Sequence, residues 1–339
     1  MKALLIGTGM VADMHVQAIG MSKGQVSLAG FWTRSADRTS EFSLKNNGLA
    51  SFPTLEDALT QSQADFAIVL TPPDARLEIA QTLAAHDMPT LMEKPLERDT
   101  AAARQIVDIF AKKKLPLGAV LQHRVRPAAV ALKKLVQDGR LGPLGAVEVR
   151  VPWWRDQSYY DVAGRGTYAR DGGGVLITQA IHTLDLMLQL AGPVAQVTAT
   201  AATTNLHTLE AEDFVSAGLT FENGAIGSLM ASTACYPGAA ESITLHGTLG
   251  SAVLDAASLT LHWRDGTTEH LEGAAQTGGG ADPMAFGADW HSDVIMGFAQ
   301  AVATHTEPPI TGASALAVHS LIDCIQKAAQ TGEKQQVSP

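Results

Sequence analysis

One histidine interrupts the apolar face of a predicted helix in GGGVLITQAIHTLDLM, residues 172–187. If the helix begins near Val175, its polar residues share one face, because positions three and four apart are neighbours on a helix. These residues are Thr178, His182, Asp185 and Gln189. A histidine titrates near neutral pH and is suited to exchange a proton with a substrate. The pattern is also typical of a buried histidine that bonds Asp185 or a backbone carbonyl for stability.

Lys94, in the segment LMEKPL of residues 91–96, is a second candidate for proton transfer. It follows a short apolar run that predicts a strand. A lysine with its pKa lowered by burial or nearby charge can exchange a proton with a substrate hydroxyl. Taken alone, Glu-Lys-Pro is also a common turn at the end of a strand.

Strands and helices alternate through the first third of the chain. Short apolar runs, typical of strands buried on both faces, are separated by segments with helical spacing. The predicted strands span residues 2–6, 25–33, 65–71, 89–94 and 115–121. This alternation predicts right-handed crossovers and a parallel, doubly wound sheet, the α/β class. Lys94 would then lie at the carboxyl edge of the sheet, where such folds bind ligands.

The segment GTGMVA, residues 7–12, matches G-x-G-x-x-A between the first predicted strand and the first helix. In this context Gly7 allows a tight turn, Gly9 lets a pyrophosphate approach the backbone, and Ala12 permits close packing of helix on sheet. A plain glycine turn is the alternative, but the strand–turn–helix context favours a dinucleotide site. The residues predicted to contact the cofactor here are Gly7, Thr8, Gly9, Met10 and Val11.

The end of the second predicted strand bears on the choice of cofactor. Sites specific for NAD usually place Asp or Glu there to bind the ribose 2′-hydroxyl. The segment WTRSADR has no carboxylate before Asp37. Its polar residues suit a 2′-phosphate instead, so the sequence favours NADP over NAD, although the arginines are also compatible with a solvated surface. The predicted 2′-phosphate contacts are Thr33, Arg34, Ser35 and Arg38.

Six motifs in one order resemble the glucose–fructose oxidoreductase, inositol dehydrogenase and MocA family. They are the G-x-G-x-x-A turn, TPPDARLEIA, MEKPL, GGGVLITQAIHTLDLM, NGAIGSLMAS and HGTLGSAVLD. The resemblance implies an N-terminal Rossmann domain and a C-terminal α+β domain with a large, mostly antiparallel sheet. It also implies that Lys94 is the active-site lysine and contacts both cofactor and substrate. His182 would bind substrate and take part in acid–base catalysis, and Thr71, Pro72 and Glu93 would contact the cofactor.

The chain departs from the resembled family at two positions. The family often has His where this chain has Arg76, so no role is predicted for Arg76. Inositol dehydrogenase-like members carry Asp four residues before the active-site histidine, where this chain has Thr178. Threonine cannot act as a base at neutral pH, so we expect Thr178 and Gln179 to bind substrate hydroxyls. Asp185 would either orient His182 or fill a structural role.

Two loop-like segments, residues 151–160 and 164–171, are rich in aromatic residues and arginine. Aromatic rings stack on sugars, and arginine pairs with carboxylates or phosphates, although a packed loop has a similar composition. The candidates for a substrate wall are Trp154, Arg155, Tyr159, Tyr160, Arg165 and Tyr168. Among them, Arg155, Tyr160 and Arg165 are the predicted substrate-binding residues.

The pattern changes after residue 121. An amphipathic helix is followed by seven strand-like runs, with Asn223-Gly224 as a hairpin turn between two of them, and by helices near 289–304 and 313–330. This pattern predicts an antiparallel sheet with helices on one face. The predicted domains are a cofactor-binding domain, residues 1–121, and a substrate-binding and oligomerisation domain, residues 122–339. The glycine-rich segment 273–283 reads as a flexible loop.

Composition excludes several functional classes. A chain of 339 residues with 46 % apolar and 17 % charged residues suits two globular domains. A net charge of −10 argues against nucleic acid or an anionic membrane as the main partner. The two cysteines cannot form a disulfide framework and fit the cytoplasm. The 11 histidines show no metal-ligand spacing, so no metal is expected.

The sequence therefore predicts an NAD(P)-dependent oxidoreductase that acts on CH–OH groups. A hydride would pass between the nicotinamide and a secondary alcohol or ketone of a sugar, polyol, cyclitol or sugar-acid-like substrate. Two alternatives stay open at this point: a redox-neutral NAD-dependent glycoside cleavage or epimerisation, and a non-catalytic NADP-binding regulator. The resemblance also implies a homodimer or homotetramer.

Overall fold

A computed structural model describes residues 1–273 and 287–337. The glycine-rich loop predicted over residues 273–283 therefore lies outside the described residues from position 274 onward. No helix in the described part of the chain is both long enough and apolar enough to cross a membrane.

The described residues form helices and strands in the following order. The strands are β1 (Lys2–Ile6), β2 (Ser27–Trp32), β3 (Phe66–Val69), β4 (Thr90–Glu93), β5 (Leu117–Val120), β6 (Leu144–Pro152), β7 (Val194–Ala202), β8 (Phe214–Phe221), β9 (Ile226–Ser232), β10 (Ser242–Gly247), β11 (Gly250–Asp255), β12 (Ser258–Trp263), β13 (Thr268–Leu271) and β14 (Gln335–Gln336). The helices are α1 (Ala12–Gly20), α2 (Ala36–Lys45), α3 (Leu55–Gln61), α4 (Arg76–Ala85), α5 (Thr100–Lys113), α6 (Pro127–Gln137), α7 (Gln157–Tyr160), α8 (Ile181–Ala191), α9 (Asp289–Thr304) and α10 (Gly312–Thr331). A π-helical turn, Leu176–Ala180, precedes α8.

The chain divides into two compact units. The first contains residues 1–122 and 288–316, and the second contains the described parts of residues 123–287 and 317–339. Helix α9 belongs to the first unit, where it contacts α1 and β5. The first unit is therefore completed by a segment that comes late in the chain.

A five-stranded parallel sheet, in the order β2-β1-β3-β4-β5, forms the centre of the first unit. Ser51 adds an isolated parallel bridge to Phe31 on the outer side of β2. This bridge occupies the place of the third strand in the usual Rossmann order. Strands β3, β4 and β5 are buried at every position. The predicted doubly wound sheet is thus confirmed. Strand β2 is added on one side of β1 and β3 on the other, so the strand order reverses between β1 and β3.

A nine-stranded sheet forms the centre of the second unit, in the order β13-β12-β11-β10-β6-β9-β8-β7-β14. The pair β6–β9 is parallel, and every other neighbouring pair is antiparallel. Helices α6 and α8 pack on one face, so strands such as β8 alternate buried and exposed residues. The predicted hairpin at Asn223-Gly224 joins the antiparallel strands β8 and β9. The predicted large, mostly antiparallel sheet is confirmed.

Three short elements of the second unit escaped prediction from the sequence. Strand β13 is exposed at all four positions, so it carries no alternation of apolar and polar residues. Strand β14 has only two residues, and α7 only four. The two strands form because a longer neighbour, β12 or β7, supplies hydrogen bonds, and a local pattern does not record that neighbour.

Candidate active site

The glycine-rich turn follows β1, at the point where the strand order of the first unit's sheet reverses. Gly7 has φ +99°, and a Cβ on it would lie 3.1 Å from the backbone nitrogen of Thr71. The backbone N–H of Gly7 donates to Trp32 O at 2.8 Å. A Cβ on Gly9 would meet only Leu70 O, at 3.7 Å, which leaves the approach to this backbone open. Gly7 is therefore needed because the backbone of Thr71 passes close to it, whereas Gly9 leaves its backbone accessible to a ligand.

Two buried hydroxyls at this turn fit a bound dinucleotide. The Oγ1 atoms of Thr8 and Thr71 are buried and have no hydrogen-bond partner among the described residues. Buried polar atoms without partners are rare, and each calls for an explanation. A dinucleotide carries phosphate and amide groups that accept or donate such bonds. Thr8 and Thr71, both predicted from the sequence to contact the cofactor, thus have the chemistry to hold NAD(P).

The residues predicted to bind a 2′-phosphate follow β2. Arg34 and Arg38 are exposed, and neither forms an ion pair with a carboxylate in the described part of the chain. Ser35 precedes α2, but its side chain makes no capping hydrogen bond. Arg38 lines a cavity of ≈ 140 Å³ together with Thr8 and Gly9 of the glycine-rich turn. Arg38 therefore has access to the same cavity as the predicted phosphate-binding backbone.

Lys94 lies in the turn after β4, at the carboxyl edge of the sheet. Its side chain is half-buried, and its peptide bond to Pro95 is cis. The backbone N–H of Lys94 donates to the carboxylate of the preceding Glu93 at 3.0 Å. This carboxylate is buried, and it folds back beneath the turn that carries the lysine.

The Glu93 carboxylate belongs to a buried cluster with two histidines. His15 Nε2 lies 2.8 Å from Glu93 Oε1, and His291 Nε2 lies 3.8 Å from the same oxygen. Burial alone would raise the pKa of Glu93, but the hydrogen bond and charge of His15, with His291 and Lys94, lower it to about 2. Burial, together with the charge of His15, lowers the pKa of His291 to about 4. At neutral pH the buried Glu93 carboxylate is therefore ionised, and His291 is neutral.

The same three residues have the spacing of metal ligands, since one ligand atom of each lies within 4.8 Å of the others. Histidines that bind metal usually donate their second ring nitrogen to an acceptor. His15 Nδ1 is buried and has no partner among the described residues. The short contact between His15 and Glu93 also fits a hydrogen bond. The geometry thus favours a Glu93 carboxylate held by a hydrogen bond from His15 over a metal centre.

Arg76 lies directly beneath the Lys94 turn, and no role was predicted for it. Its guanidinium is buried and donates hydrogen bonds to the backbone oxygens of Thr71, Glu93 and Pro95. It therefore links the loop after β3 to the turn after β4.

The glycines that open the helix of His182 meet a buried carboxylate. A Cβ on Gly174 would lie 1.8 Å from Glu212 O, so only glycine fits there. The Glu212 side chain accepts hydrogen bonds from the backbone N–H groups of Gly174 and Leu176, at 3.1 and 3.2 Å. The start of this helix is thus fixed by a side chain from another part of the second unit.

His182 lies in the second residue position of α8 and is 6 % exposed. Its ring stacks on that of His123, with centroids 4.9 Å apart and planes 27° apart. Asp185 forms two hydrogen bonds with Arg124, of 2.7 and 2.6 Å. Burial raises the pKa of Asp185, and the guanidinium offsets part of the shift. These contacts favour the structural role for Asp185 over orientation of His182.

The helix face predicted from residue spacing changes at the π-helical turn. Thr178 and Gln179 lie in that turn, whereas His182 lies in the regular helix after it. The Thr178 hydroxyl lies 2.6 Å from Gly174 O and also contacts the Gln179 side chain. Gln179 Nε2 donates to the Tyr159 hydroxyl at 3.2 Å. Thr178 and Gln179 are therefore tied to each other and to the aromatic loop.

That aromatic loop brings two arginines onto one ring. The guanidinium carbon of Arg165 lies 4.2 Å from the centroid of Tyr159, and that of Arg155 lies 5.7 Å away. Arg155 is 2 % exposed and donates to Trp154 O at 2.7 Å. Tyr159, which was not among the favoured residues, is thus the centre of this group.

Tyr160, the other tyrosine of α7, contacts residues of the second unit. Its hydroxyl lies 2.6 Å from Thr233 Oγ1, and its ring packs on His207 with centroids 5.0 Å apart. Burial raises the pKa of the Tyr160 hydroxyl. The ring therefore supports the loop from inside the second unit, and its predicted contact with substrate stays a prediction.

Comparisons with known proteins match both halves of this arrangement. Residues 1–120 match an oxidoreductase family with an NAD-binding Rossmann fold, and residues 129–253 match the GFO/IDH/MocA C-terminal domain. The fold and the two matches define an oxidoreductase with an NAD-binding domain. The chain belongs to the GFO/IDH/MocA family.

Three similar proteins are 25 to 28 % identical to this chain over the aligned residues. The rhizopine catabolism protein MocA of Rhizobium meliloti is 28 % identical over 56 % of this chain, a match that spans 56 % of the relative's length. The 1,5-anhydro-D-fructose reductase of Ensifer adhaerens is 25 % identical over 98 % of this chain and 97 % of its own. The WlbA dehydrogenase of Bordetella pertussis, solved with NADH and UDP-GlcNAcA, has a TM-score of 0.85 at 25 % identity, and the match covers 100 % of this chain and 99 % of that one.

Proposed function

We propose that the protein transfers a hydride between NAD(P) and a secondary alcohol or ketone of a sugar, polyol, cyclitol or sugar-acid-like substrate. The observation that carries the proposal is the carboxyl edge of the parallel sheet. There the open glycine-rich turn and the Thr8 and Thr71 hydroxyls, which have no partner in the described part of the chain, occur in the same unit as Lys94, whose backbone N–H donates to Glu93. The family to which the chain belongs supports the same chemistry. A bound nicotinamide would supply the hydride acceptor or donor.

The chain's own residues would then manage the proton and the substrate. Lys94 removes or supplies the hydroxyl proton, and His182 assists by holding that hydroxyl or sharing its proton. Thr178 and Gln179 bind further hydroxyls, because their neutral side chains donate and accept hydrogen bonds but cannot act as a base at neutral pH. The Glu93 carboxylate holds the Lys94 turn from beneath by accepting a hydrogen bond from the Lys94 backbone N–H.

Arg155 and Arg165 favour an acidic substrate within this class. Guanidinium groups recognise carboxylates and phosphates with paired hydrogen bonds, and here two of them lie within 5.7 Å of the centroid of one aromatic ring. The WlbA dehydrogenase, which is similar over its whole length, was solved with UDP-GlcNAcA, which supports an anionic sugar. We therefore propose a sugar acid or a nucleotide-linked sugar as the first substrates to examine.

A substrate screen tests the proposed function. Purified protein is incubated with NAD or NADP and a panel of polyols, sugars, sugar acids and nucleotide-linked sugars while the absorbance of the reduced nicotinamide is followed. We expect reduction of the cofactor with at least one acidic sugar. Binding of cofactor without any turnover across the panel would favour a regulator. Conversion of a substrate without net change in absorbance would favour redox-neutral chemistry.

The choice of NADP over NAD is a separate prediction. Arg34→Ala combined with Arg38→Ala is expected to weaken NADPH binding about tenfold to a hundredfold and leave NADH binding nearly unchanged, because only NADPH carries the 2′-phosphate. Fluorescence titration of both cofactors measures this difference. Arg264→Ala, an exposed arginine of the second unit, is the control. A wild-type preference for NADH that persists in the double variant would contradict the assignment.

The organisation of the protein completes the proposal. We propose that residues 1–121 bind the cofactor and that residues 122–339 bind the substrate and form a homodimer or homotetramer. The exposed face of the nine-stranded sheet supports the assembly, since Ile226 on β9 is 58 % exposed there. Multi-angle light scattering gives the mass in solution. The expected cytoplasmic location remains a prediction from the low cysteine content.

A further inference from the structure

Arg76 occupies a position between two loops at the carboxyl edge of the parallel sheet. It is the first residue of α4, which follows the loop after β3. Its side chain turns beneath that loop and reaches the turn after β4. The side chain is 3 % exposed, so the guanidinium is enclosed by the first unit.

The guanidinium uses four of its five N–H groups on backbone oxygens. Nε and Nη2 both donate to Thr71 O, at 2.9 and 2.7 Å. Nη1 donates to Glu93 O and to Pro95 O. The acceptors therefore come from the loop that carries Thr71 and from the turn that carries Lys94. Buried carbonyls require donors, and one side chain supplies them on both segments.

Nearby carboxylates stabilise the positive charge of the buried Arg76 guanidinium. Burial lowers the pKa of Arg76 to about 10, while the charges of Glu93, Glu97 and Asp74 oppose the shift. The guanidinium thus remains protonated at neutral pH. Charged donors form stronger hydrogen bonds than neutral ones, so the link between the two segments is strong.

We propose that Arg76 is a positioning residue that fixes the distance and orientation between the Thr71 loop and the Lys94 turn. The inference rests on the proposed function, in which Thr71 contacts the cofactor and Lys94 moves the proton. Without the guanidinium, each segment would have to find new donors for its carbonyls, and the two would no longer move as one. Hydride and proton transfer depend on placement within a fraction of an ångström, so loss of this link reduces turnover.

The shape of the guanidinium, rather than its charge, carries the effect. A lysine at this position retains the positive charge, but its single ammonium group cannot span three carbonyls with a planar fork. Arg76→Lys therefore separates charge from geometry, and Arg76→Met removes both. Leu83→Ala is the matched control, because Leu83 is fully buried in the same helix and contributes only packing.

The experiment measures cofactor binding and turnover beside thermal stability. The dissociation constants of NADPH and NADH are measured by fluorescence titration for the wild type and the three variants. The values of kcat and KM are measured with the substrate found in the screen. We expect Arg76→Lys to weaken cofactor binding about threefold to tenfold and to lower kcat up to about a hundredfold. Arg76→Met has the larger effect, and Leu83→Ala lowers the Tm but leaves both quantities within about twofold of wild type.

Three results would overturn the inference. The first is cofactor binding and kcat in both Arg76 variants equal to those of the wild type. The second is equal losses in Leu83→Ala, which would assign the effect to stability alone. The third is a rise in the KM for substrate with cofactor binding and kcat unchanged. Failure of the wild type to bind either cofactor is a different result, since it removes the proposed function itself.

Discussion

Replacement of Lys94 with alanine is expected to lower kcat by about a hundredfold to ten-thousandfold, the range for loss of a general acid–base group. The dissociation constant of the cofactor should stay within about threefold of the wild-type value, because the glycine-rich turn and its hydroxyls remain. The Lys94 turn should also persist, since the Glu93 carboxylate accepts the backbone amide at position 94 whatever the side chain. Steady-state kinetics and fluorescence titration give the two quantities.

Two further variants make this result specific to Lys94. Lys94→Arg keeps the positive charge but cannot release its proton near neutral pH, so it should be nearly as inactive as Lys94→Ala. Lys113→Ala removes an exposed lysine of the same unit that pairs with Asp87, and it should behave as wild type. Unchanged turnover in Lys94→Ala would end the assignment of this lysine.

Replacement of His182 with asparagine is expected to be the next most damaging change. We expect kcat/KM to fall about a hundredfold, because the side chain retains polarity but loses the ability to take up a proton near neutral pH. The loss of stacking on His123 would also lower the Tm by a few degrees, since aromatic pairs contribute about 0.5–1.5 kcal/mol. Kinetics across a range of pH and thermal denaturation separate the two effects.

The alternative role of His182 gives the opposite pattern. A histidine that only stabilises the helix would lower the Tm and leave kcat/KM and its pH profile unchanged. His246→Asn is a suitable control, because His246 is a half-exposed histidine of β10 in the same unit. It should change neither quantity.

The regular part of the fold was predictable because local patterns and tertiary structure agree there. Strands β3 and β5 contain only apolar residues and glycine, and β4 is apolar at its two central positions. All three are buried throughout, so the sequence shows them as short apolar runs. The turn at Gly7 combines a strand, a glycine and a helix in the order that a dinucleotide site needs. The hairpin at Asn223-Gly224 depends on two adjacent residues.

The cluster behind Lys94 was not predictable, because its members are far apart in sequence. His15 lies on α1 and Glu93 on β4, while His291 comes from α9 near the other end of the chain. No local spacing relates them. One weak indication was available, since His15 lies on a largely apolar helix and a buried histidine needs a partner.

Neighbouring residues of the aromatic loop show a different limit. Tyr159 and Tyr160 are adjacent in the short helix α7, where successive side chains point in different directions. One meets two arginines, and the other bonds Thr233. The direction of each ring is set by the tertiary contacts of the loop, so the choice between them could not be made from composition.

The π-helical turn before α8 has a consequence for how this protein and its relatives change over evolution. Such a turn corresponds to an α-helix with one residue inserted. Deletion of one residue within Leu176–Ala180 would leave a continuous α-helix and rotate the preceding segment by about 100°. Which residue lies four positions before His182 therefore depends on the number of residues in this turn as well as on substitutions. A single-codon deletion, with no change of side chain, is thus a route by which a different residue acquires the place of Thr178.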